Sequence, residues 1–479
     1  MILEFRYRNN LFKKDLIISL VLFIFIIFIR YYTPDFIGNI IALLLLLVFL
    51  YDKKNNGLYL AFFLLLLSTP GMLFNEMGNH SLPSISVPGF ERKIFYGEII
   101  SFVILFKYLI YGRNIYIFYK KQIIIIITYS FILLLLGFTR GMSILTIFKT
   151  IRYIIPLFLF LALPGLLPAK KELLRFINLI FYFSFICILS QLFEITLGHP
   201  VSYYLGDIML NTNMESTEYE ASLSRVFYGQ FIIIISFSVS LFFALRKDNI
   251  FNRNLLFLVA FLDFASVFLS ATRGWILAFG FIFIIYYFIA PIKNIKIIFY
   301  GLGVLMILFI ISPTIEKQMK GALNRFDTTE LLLQGDKTAG GTLTRLTNRG
   351  PKVMKEVRKS PLFGFGFSDY YYKYADVHVG NQTLLLNGGI IGYLIYVYIW
   401  IYMILYCYKY AQHNKTIILF ASSFVGLLII HSSSRIIFNY CMGVETAFGL
   451  SITFLLMNYF INEQRNRNFI ERGQIILKN

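Results

Sequence analysis

Charged residues are scarce in this chain of 479 residues, since only 14% are Asp, Glu, Lys or Arg, against roughly a quarter in typical soluble domains. Its three cysteines show no CxxC spacing, which excludes a disulfide framework and a cysteine-based zinc site. The chain also lacks a phosphate-binding GxxxxGK[ST] loop, an HExxH motif and a DxD motif. These absences exclude an ordinary soluble enzyme, an ATP-driven motor, a disordered chain and a disulfide scaffold.

Apolar residues are abundant instead: 58% of the chain is hydrophobic and 18% is aromatic, with 52 Phe and 33 Tyr. A helix needs about 17–25 apolar residues to cross a bilayer core. We predict an all-α, polytopic membrane protein of about 12–14 transmembrane helices, with residues 1–479 forming a single integral membrane domain. The fourteen apolar runs are 15–30, 36–51, 57–74, 95–112, 122–138, 152–168, 173–194, 226–245, 254–271, 274–291, 295–312, 386–408, 415–431 and 442–460.

Basic residues orient these predicted spans. With the N-terminus inside, the inner segments carry 23 Lys and Arg, whereas the short outer segments carry nine. An excess of Lys and Arg in the inner loops is the usual pattern of helical membrane proteins. The formal net charge of +19 is therefore explained by membrane topology, and binding of nucleic acid is not expected. Both termini are predicted to be cytoplasmic.

Two outer connections are too long to be simple turns. Residues 313–385 form a polar segment that includes a predicted short basic helix over 351–359, and residues 195–225 form a second loop. Loops of this length commonly carry function. A third segment, 139–151, is compatible with a re-entrant or interfacial helix.

The larger loop contains the most informative sequence. Its short helix is followed by PLFGFGF, whose Gly364 and Gly366 mark a turn, and then by His378. Gly389 follows eleven residues later, and together with Gly392 it forms a GxxG pair at the start of a predicted span. Small residues at that point allow another helix or a substrate to approach closely.

This order of motifs resembles the O-antigen ligase and O-antigen polymerase superfamily. In that family a His is followed by Asn, Ser or Gln, then nine residues, then GxxG. Here His378 is followed by Val379 and nine residues before Gly389, so the spacing agrees and the second position departs. Asn381 lies close behind and is a candidate supporting amide.

Arginines complete the resemblance. The segment 270–275, SATRGW, is similar to the family's Ser-Arg-Gly element and contains Arg273, and Arg225 stands four residues before Gly229 as in the family's Arg-x-x-x-Gly. An Arg is also expected about fifteen residues before the Pro-Leu-x-Gly turn. Arg345 and Arg349 both suit that position, and the sequence does not choose between them.

The resemblance implies glycosyl transfer at the periplasmic face of a bacterial inner membrane. The donor would be an oligosaccharide linked to undecaprenyl pyrophosphate, and the acceptor a sugar hydroxyl on a glycan or glycolipid. His378 would act as the general base, and Arg225, Arg273, Arg345 and Arg349 would bind the pyrophosphate. Arginine presents a fork of donors suited to phosphate oxygens, and histidine titrates near neutral pH. Neither a metal nor another cofactor would be required.

Other interpretations remain open at the level of the sequence. Polymerisation of surface polysaccharide repeat units is favoured over ligation to a lipid A core, because a long outer loop suits diverse repeat units. A lipid-glycan flippase or transporter is a more remote alternative, indicated only by Lys107 and Asp263 within predicted spans. His378 as a solvated loop residue, and the arginines as headgroup anchors, are the plainer interpretations. The tyrosines of 370–374 suit either sugar stacking or an interfacial aromatic belt.

Overall fold

Helices account for most of the described chain. The computed structural model describes residues 2–33, 35–68, 84–85, 94–198, 201–205, 226–246, 250–289, 313–324, 345–411 and 414–476. Its α-helices are α1 (Ile2–Tyr31), α2 (Asp35–Tyr51), α3 (Asn56–Ser68), α4 (Tyr96–Tyr111), α5 (Lys120–Thr139), α6 (Ile144–Ile154), α7 (Leu159–Leu166), α8 (Lys170–Leu197), α9 (Val201–Tyr204), α10 (Gln230–Leu245), α11 (Arg253–Leu269), α12 (Arg273–Ile289), α13 (Pro313–Asn324), α14 (Gly350–Val357), α15 (Asp369–Tyr374), α16 (Gly380–Ala411), α17 (Ile418–Ser433) and α18 (Val444–Ile476).

Minor elements connect these helices. A 3-10 turn at Ile155–Phe158 joins α6 to α7, another at Lys415–Ile417 leads into α17, and a π-helical turn at Arg345–Arg349 leads into α14. Within the described residues the strands are β1 (Ser84–Ile85) and β2 (Ile94–Phe95), which pair antiparallel with Ser84 opposite Phe95.

The chain is a multi-pass, all-α membrane protein. Among the described residues, six helical stretches are long and apolar enough to cross a bilayer, and four shorter apolar helices accompany them. The six are Lys120–Thr139, Ile144–Leu166, Lys170–Leu197, Gly380–Ala411, Lys415–Ser433 and Val444–Asn466. Large apolar side chains point outward on many of the helices, for example Phe36 at 75% exposure and Leu109 at 80%. Such surfaces suit lipid, in which the helical backbone satisfies its own polar groups.

The observed helices coincide with the predicted spans wherever the structure describes them, and the predicted span 295–312 lies outside the described residues. Several boundaries differ. Helix α1 begins at Ile2 instead of residue 15, and α18 continues to Ile476 instead of ending at residue 460. Helix α16 begins at Gly380, six residues before the predicted start at 386, because its first turns (GNQTLL) are partly polar and hydropathy alone does not mark them. The segment 139–151 contains the start of α6, which continues through the 3-10 turn into α7 as one apolar stretch.

Helix α10 lies at the centre of the fold. Every residue from Phe231 to Ala244 is buried, and the helix packs against α8, α11, α17 and α18. A helix that is apolar on all sides belongs in the interior of a bundle. The segment that precedes it, which ends in Gly229, is therefore fixed relative to the helices that carry the candidate site.

Lys107 and Asp263, the two ionisable residues singled out within predicted spans, each have hydrogen-bond partners. The Lys107 ammonium donates to the carbonyl oxygen of Asp52 at 2.7 Å and to Oδ1 of Asn56 at 2.6 Å, which ties α4 to the end of α2. Asp263 accepts a hydrogen bond from the hydroxyl of Ser184. Polar groups in a membrane interior are costly unless they are paired in this way.

Candidate functional site

His378 lies on a short turn between α15 and α16 and is half-buried. Its backbone N–H donates to Oδ1 of Asp376 at 2.8 Å, and its ring Nδ1 lies 3.3 Å from the carbonyl oxygen of Ser434. A carbonyl oxygen only accepts, so this contact favours the tautomer with the proton on Nδ1. The lone pair of Nε2 is then the basic site of the ring.

Asp376 holds this turn at the beginning of α16. Its backbone N–H donates to Oγ1 of Thr383 at 3.1 Å, and the same hydroxyl donates back to the carbonyl oxygen of Asp376 at 2.8 Å. Its carboxylate, which accepts from His378, also lies 3.6 Å from a guanidinium nitrogen of Arg349. The Arg349 side chain is 46% exposed, so the guanidinium is accessible to a ligand.

The beginning of α12, where Arg273 stands, packs against the segment that contacts the His378 ring. A Cβ atom on Gly274 would lie 2.6 Å from Oγ of Ser433 and 2.7 Å from Cβ of Ser434. Glycine permits this close approach, because a Cβ atom at these distances would be nearer to both serines than van der Waals contact allows. Arg273 itself is half-buried. Ser434 therefore contacts both the beginning of α12, which we call the Arg273 corner, and the His378 ring.

The segment after Arg225 reaches the same region, whereas Arg225 itself lies outside the described residues. Phe227 meets Trp275 edge-on, with ring centroids 5.1 Å apart. Gln230, the first residue of α10, accepts a hydrogen bond from a guanidinium nitrogen of Arg435 at 2.7 Å. From the sequence alone, Arg435 is interpreted more readily as an interfacial anchor than as a residue of this region.

Of the two alternative arginines, Arg345 begins the π-helical turn, but its side chain lies outside the described residues. The structure therefore places only Arg349 beside the His378 turn. Asn381 does not serve as the ring's hydrogen-bond partner in the described contacts. Its amide instead donates to Oγ of Ser432 at 3.1 Å and joins α16 to the end of α17.

The predicted glycine motifs lie where α16 is hydrogen-bonded to the turn 361–367, a contact that we call the backbone joint. Helix α16 is interrupted at Gly389, whose φ of 62° and ψ of −165° suit glycine alone. The N–H groups of the next two residues leave the helical pattern, and they donate to the carbonyl oxygens of Pro361 and Leu362 at 2.8 and 3.2 Å. The turn 361–367 thus replaces the helix's own acceptors.

Hydrogen bonds in both directions join the same turn to the part of α16 before Gly389. The N–H of Gly366 donates to the carbonyl oxygen of Asn387 at 2.9 Å, and the Asn387 amide donates to the carbonyl oxygen of Gly366 at 2.9 Å. Gly364 has φ +64°, and a side chain there would overlap the backbone of Asn387. A Cβ on Gly392 would lie 2.9 Å from the Tyr129 ring. These glycines permit contacts within the protein, and sequence reasoning missed Asn387 because its partner is twenty-one residues away.

A charged aromatic cluster lies beside the joint. The Lys359 ammonium contacts Glu356 at 2.5 Å and donates to the Tyr370 hydroxyl at 2.8 Å. Hydrogen bonds from Lys359 and Tyr370 lower the pKa of the Glu356 carboxyl, and the bond to Glu356 raises the pKa of Lys359. The Tyr370 ring stacks on Phe365 at 4.3 Å and lies 4.7 Å from the ring of Tyr374.

In the part of the chain that the structure describes, no three His, Cys, Asp or Glu side chains lie together in a group that could hold a metal ion. The described groups around His378 are instead guanidinium, imidazole, carboxylate and backbone carbonyl groups. Such groups suit an anionic ligand and a proton transfer.

Comparison with known proteins gives one family match. Residues 256–397 match the family model of O-antigen ligase. This match supports the O-antigen ligase and polymerase superfamily for that part of the chain. The matched segment contains Arg273, Arg349, His378 and Gly389, so the predicted resemblance is confirmed over residues 256–397, whereas the Arg225 motif lies outside the match. The match supports a ligase or polymerase type of activity, and hence a glycosyltransferase-like enzyme. No curated protein matches the chain significantly.

Proposed function

We propose that the protein transfers a glycan from undecaprenyl pyrophosphate to a sugar hydroxyl at the periplasmic face of the bacterial inner membrane. The observation that carries the proposal is the convergence at His378, whose turn contacts Asp376 and Arg349 and whose ring faces Ser434 beside the Arg273 corner. A base and guanidinium groups lie together there. The donor class is taken from the superfamily to which residues 256–397 belong.

In the proposed reaction, proton transfer to His378 accompanies the attack of the acceptor. As the acceptor hydroxyl oxygen attacks C1 of the donor sugar, Nε2 of His378 takes the hydroxyl proton. The bond between C1 and the pyrophosphate oxygen breaks, and the electron pair leaves with the lipid pyrophosphate. The Ser434 carbonyl stabilises the resulting imidazolium, since it accepts from Nδ1 at 3.3 Å. Neither a metal nor another cofactor takes part in this mechanism.

Arginines bind the pyrophosphate and stabilise the charge that it gains. Arg273 and Arg349 are the two for which the structure gives a position near His378, and Arg225 and Arg345 are proposed from their motif positions. A guanidinium stays charged at all physiological pH values and can bind two phosphate oxygens at once. Preorganised donors of this kind are commonly the largest contribution to catalysis.

Two acceptors fit this chemistry. Polymerisation, in which the acceptor is another lipid-linked repeat unit, is the main proposal because a long outer loop suits diverse repeat units. Ligation to lipid A core is the second candidate, and the observation that favours it is the description of the matching family as O-antigen ligase.

Gene deletion followed by gel analysis of the surface glycan tests the proposal. A polymerase mutant is expected to display single repeat units on its surface, and a ligase mutant to display bare core while lipid-linked polymer accumulates. Complementation with the wild-type gene is the control. An unchanged glycan profile would refute both functions, and lipid-linked repeats that remain on the cytoplasmic side would support a flippase instead.

A further inference from the structure

Residues 434–438 leave helix α17, yet each of their backbone N–H groups has an acceptor. The first two donate to the carbonyl oxygen of Ile430, and the third donates to the carbonyl oxygen of Val377. The last two both donate to Nδ1 of His431, at 3.2 and 3.3 Å. Buried backbone N–H groups almost always require a partner, and here a histidine side chain supplies one for two of them.

His431 is buried in the interior with 1% of its surface exposed. Because Nδ1 accepts two hydrogen bonds, that atom carries no proton and the neutral ring is protonated on Nε2. Nε2 is buried and has no hydrogen-bond partner in the described structure. A Cβ atom on Gly380 would lie 2.8 Å from it, so the ring is pressed against the backbone at the beginning of α16.

The segment that His431 holds is the one that contacts the candidate catalytic base. Ser434 presents its carbonyl oxygen to the His378 ring at 3.3 Å, and Ile436 binds the carbonyl oxygen of the residue before His378 at 2.9 Å. Arg435 lies between these two residues and binds Gln230. Displacement of residues 434–438 would therefore move the ring's partner and a guanidinium at the same time.

We propose that His431 is a positioning residue for the transfer reaction: its Nδ1 fixes residues 434–438, and these orient the His378 ring and place Arg435. The role rests on the proposed function, since it matters for catalysis only if His378 is the base. A misplacement of about 1 Å at a reacting group can cost on the order of 100-fold in rate.

An acceptor role and a space-filling role for His431 predict different results for substitutions. The Oδ1 atom of Asn extends about as far from the backbone as Nδ1 of His, whereas the amide of Gln extends to the place of Nε2. His431→Asn therefore retains an acceptor for the two N–H groups, and His431→Gln presents its acceptor in the wrong place. His431→Leu fills the space and leaves both N–H groups buried without a partner.

The test compares these three full-length variants with wild type in purified transfer assays and in amide hydrogen exchange of residues 432–440. We expect His431→Leu and His431→Gln to lower kcat about 10- to 100-fold and to speed exchange in this segment. His431→Asn should retain kcat within about threefold of wild type and keep the segment protected. Thermal unfolding of each variant checks that the bundle itself is intact.

The proposal would be overturned if His431→Leu kept the kcat of wild type and the wild-type rate of amide exchange. It would also be overturned if the Asn and Gln variants both folded and lost kcat to the same extent. If His431→Leu does not fold, the contrast between Asn and Gln still decides. Failure of the proposed function is recognised separately, because His378→Ala would then retain activity. The exchange data would in that case show only whether His431 holds the segment.

Discussion

At the residue scale, the Asp376 carboxylate joins two parts of the candidate site. It accepts the backbone N–H of His378 and lies 3.6 Å from Arg349, which belongs to the π-helical turn at Arg345–Arg349. Asp376 thus fixes the turn that carries His378, the proposed base, and also orients one edge of a guanidinium. A guanidinium has five N–H donors, so contact with one carboxylate oxygen leaves donors for phosphate.

Replacement of Arg349 by Lys tests the pyrophosphate role. We expect kcat/KM for the lipid-linked donor to fall about tenfold or more, because an ammonium cannot make the bidentate contact. Steady-state transfer assays with varied donor concentration measure this effect. Arg358→Lys is the matched control, since Arg358 is exposed on the same loop and should tolerate the change. Equal kinetics for both variants would remove Arg349 from the site.

The types of residue at the site were predictable, but several of the contacts were not. Motif spacing in the sequence marks His378, Arg273 and the Arg345/Arg349 alternatives as candidates. His431 and Arg435 give no comparable signal, because their roles depend on how the segment after α17 meets the turn before α16. Such contacts join residues more than fifty positions apart and leave no local pattern.

At the element scale, the backbone joint connects α16 to the turn 361–367, the two segments between which the His378 turn lies in the chain. The break at Gly389 frees two N–H groups, and the turn supplies the acceptors at 2.8 and 3.2 Å. Hydropathy predicted a helix here and glycine marked the turn, but neither indicated that the two elements bind each other. Their pairing depends on backbone geometry, which a local sequence pattern does not encode.

Gly389→Ala is expected to destabilise this joint. Its backbone conformation is nearly exclusive to glycine, which costs about 1–3 kcal/mol for another residue, and a side chain would overlap the carbonyl of Leu362. A lower midpoint of thermal unfolding in detergent, with reduced transfer activity, is the expected result. Gly280→Ala is the control, because a Cβ there meets nothing within 4 Å. Matching stability of the two variants would argue against a structural role for Gly389.

At the scale of the whole molecule, apolar composition determines the architecture and the packing of distant segments determines the site. The chain's apolar runs predicted its helices well, because a bilayer requires continuous apolar stretches and each helix satisfies its own backbone. The site combines the beginnings of α10, α12 and α16 with the end of α17, four points that are remote in sequence. The orientation with the site facing the periplasm remains a prediction from the distribution of Lys and Arg.

His378→Ala removes the proposed general base of the glycosyl transfer and is the most informative single substitution. Donor binding and transfer should be measured separately with the purified protein, a lipid-pyrophosphate-linked oligosaccharide and a sugar acceptor. We expect donor affinity close to wild type and turnover lower by about 100-fold or more, since the base acts only as the hydroxyl attacks. His413→Ala is the control, because His413 lies on a predicted inner loop. Full turnover in His378→Ala would show that His378 is not the general base.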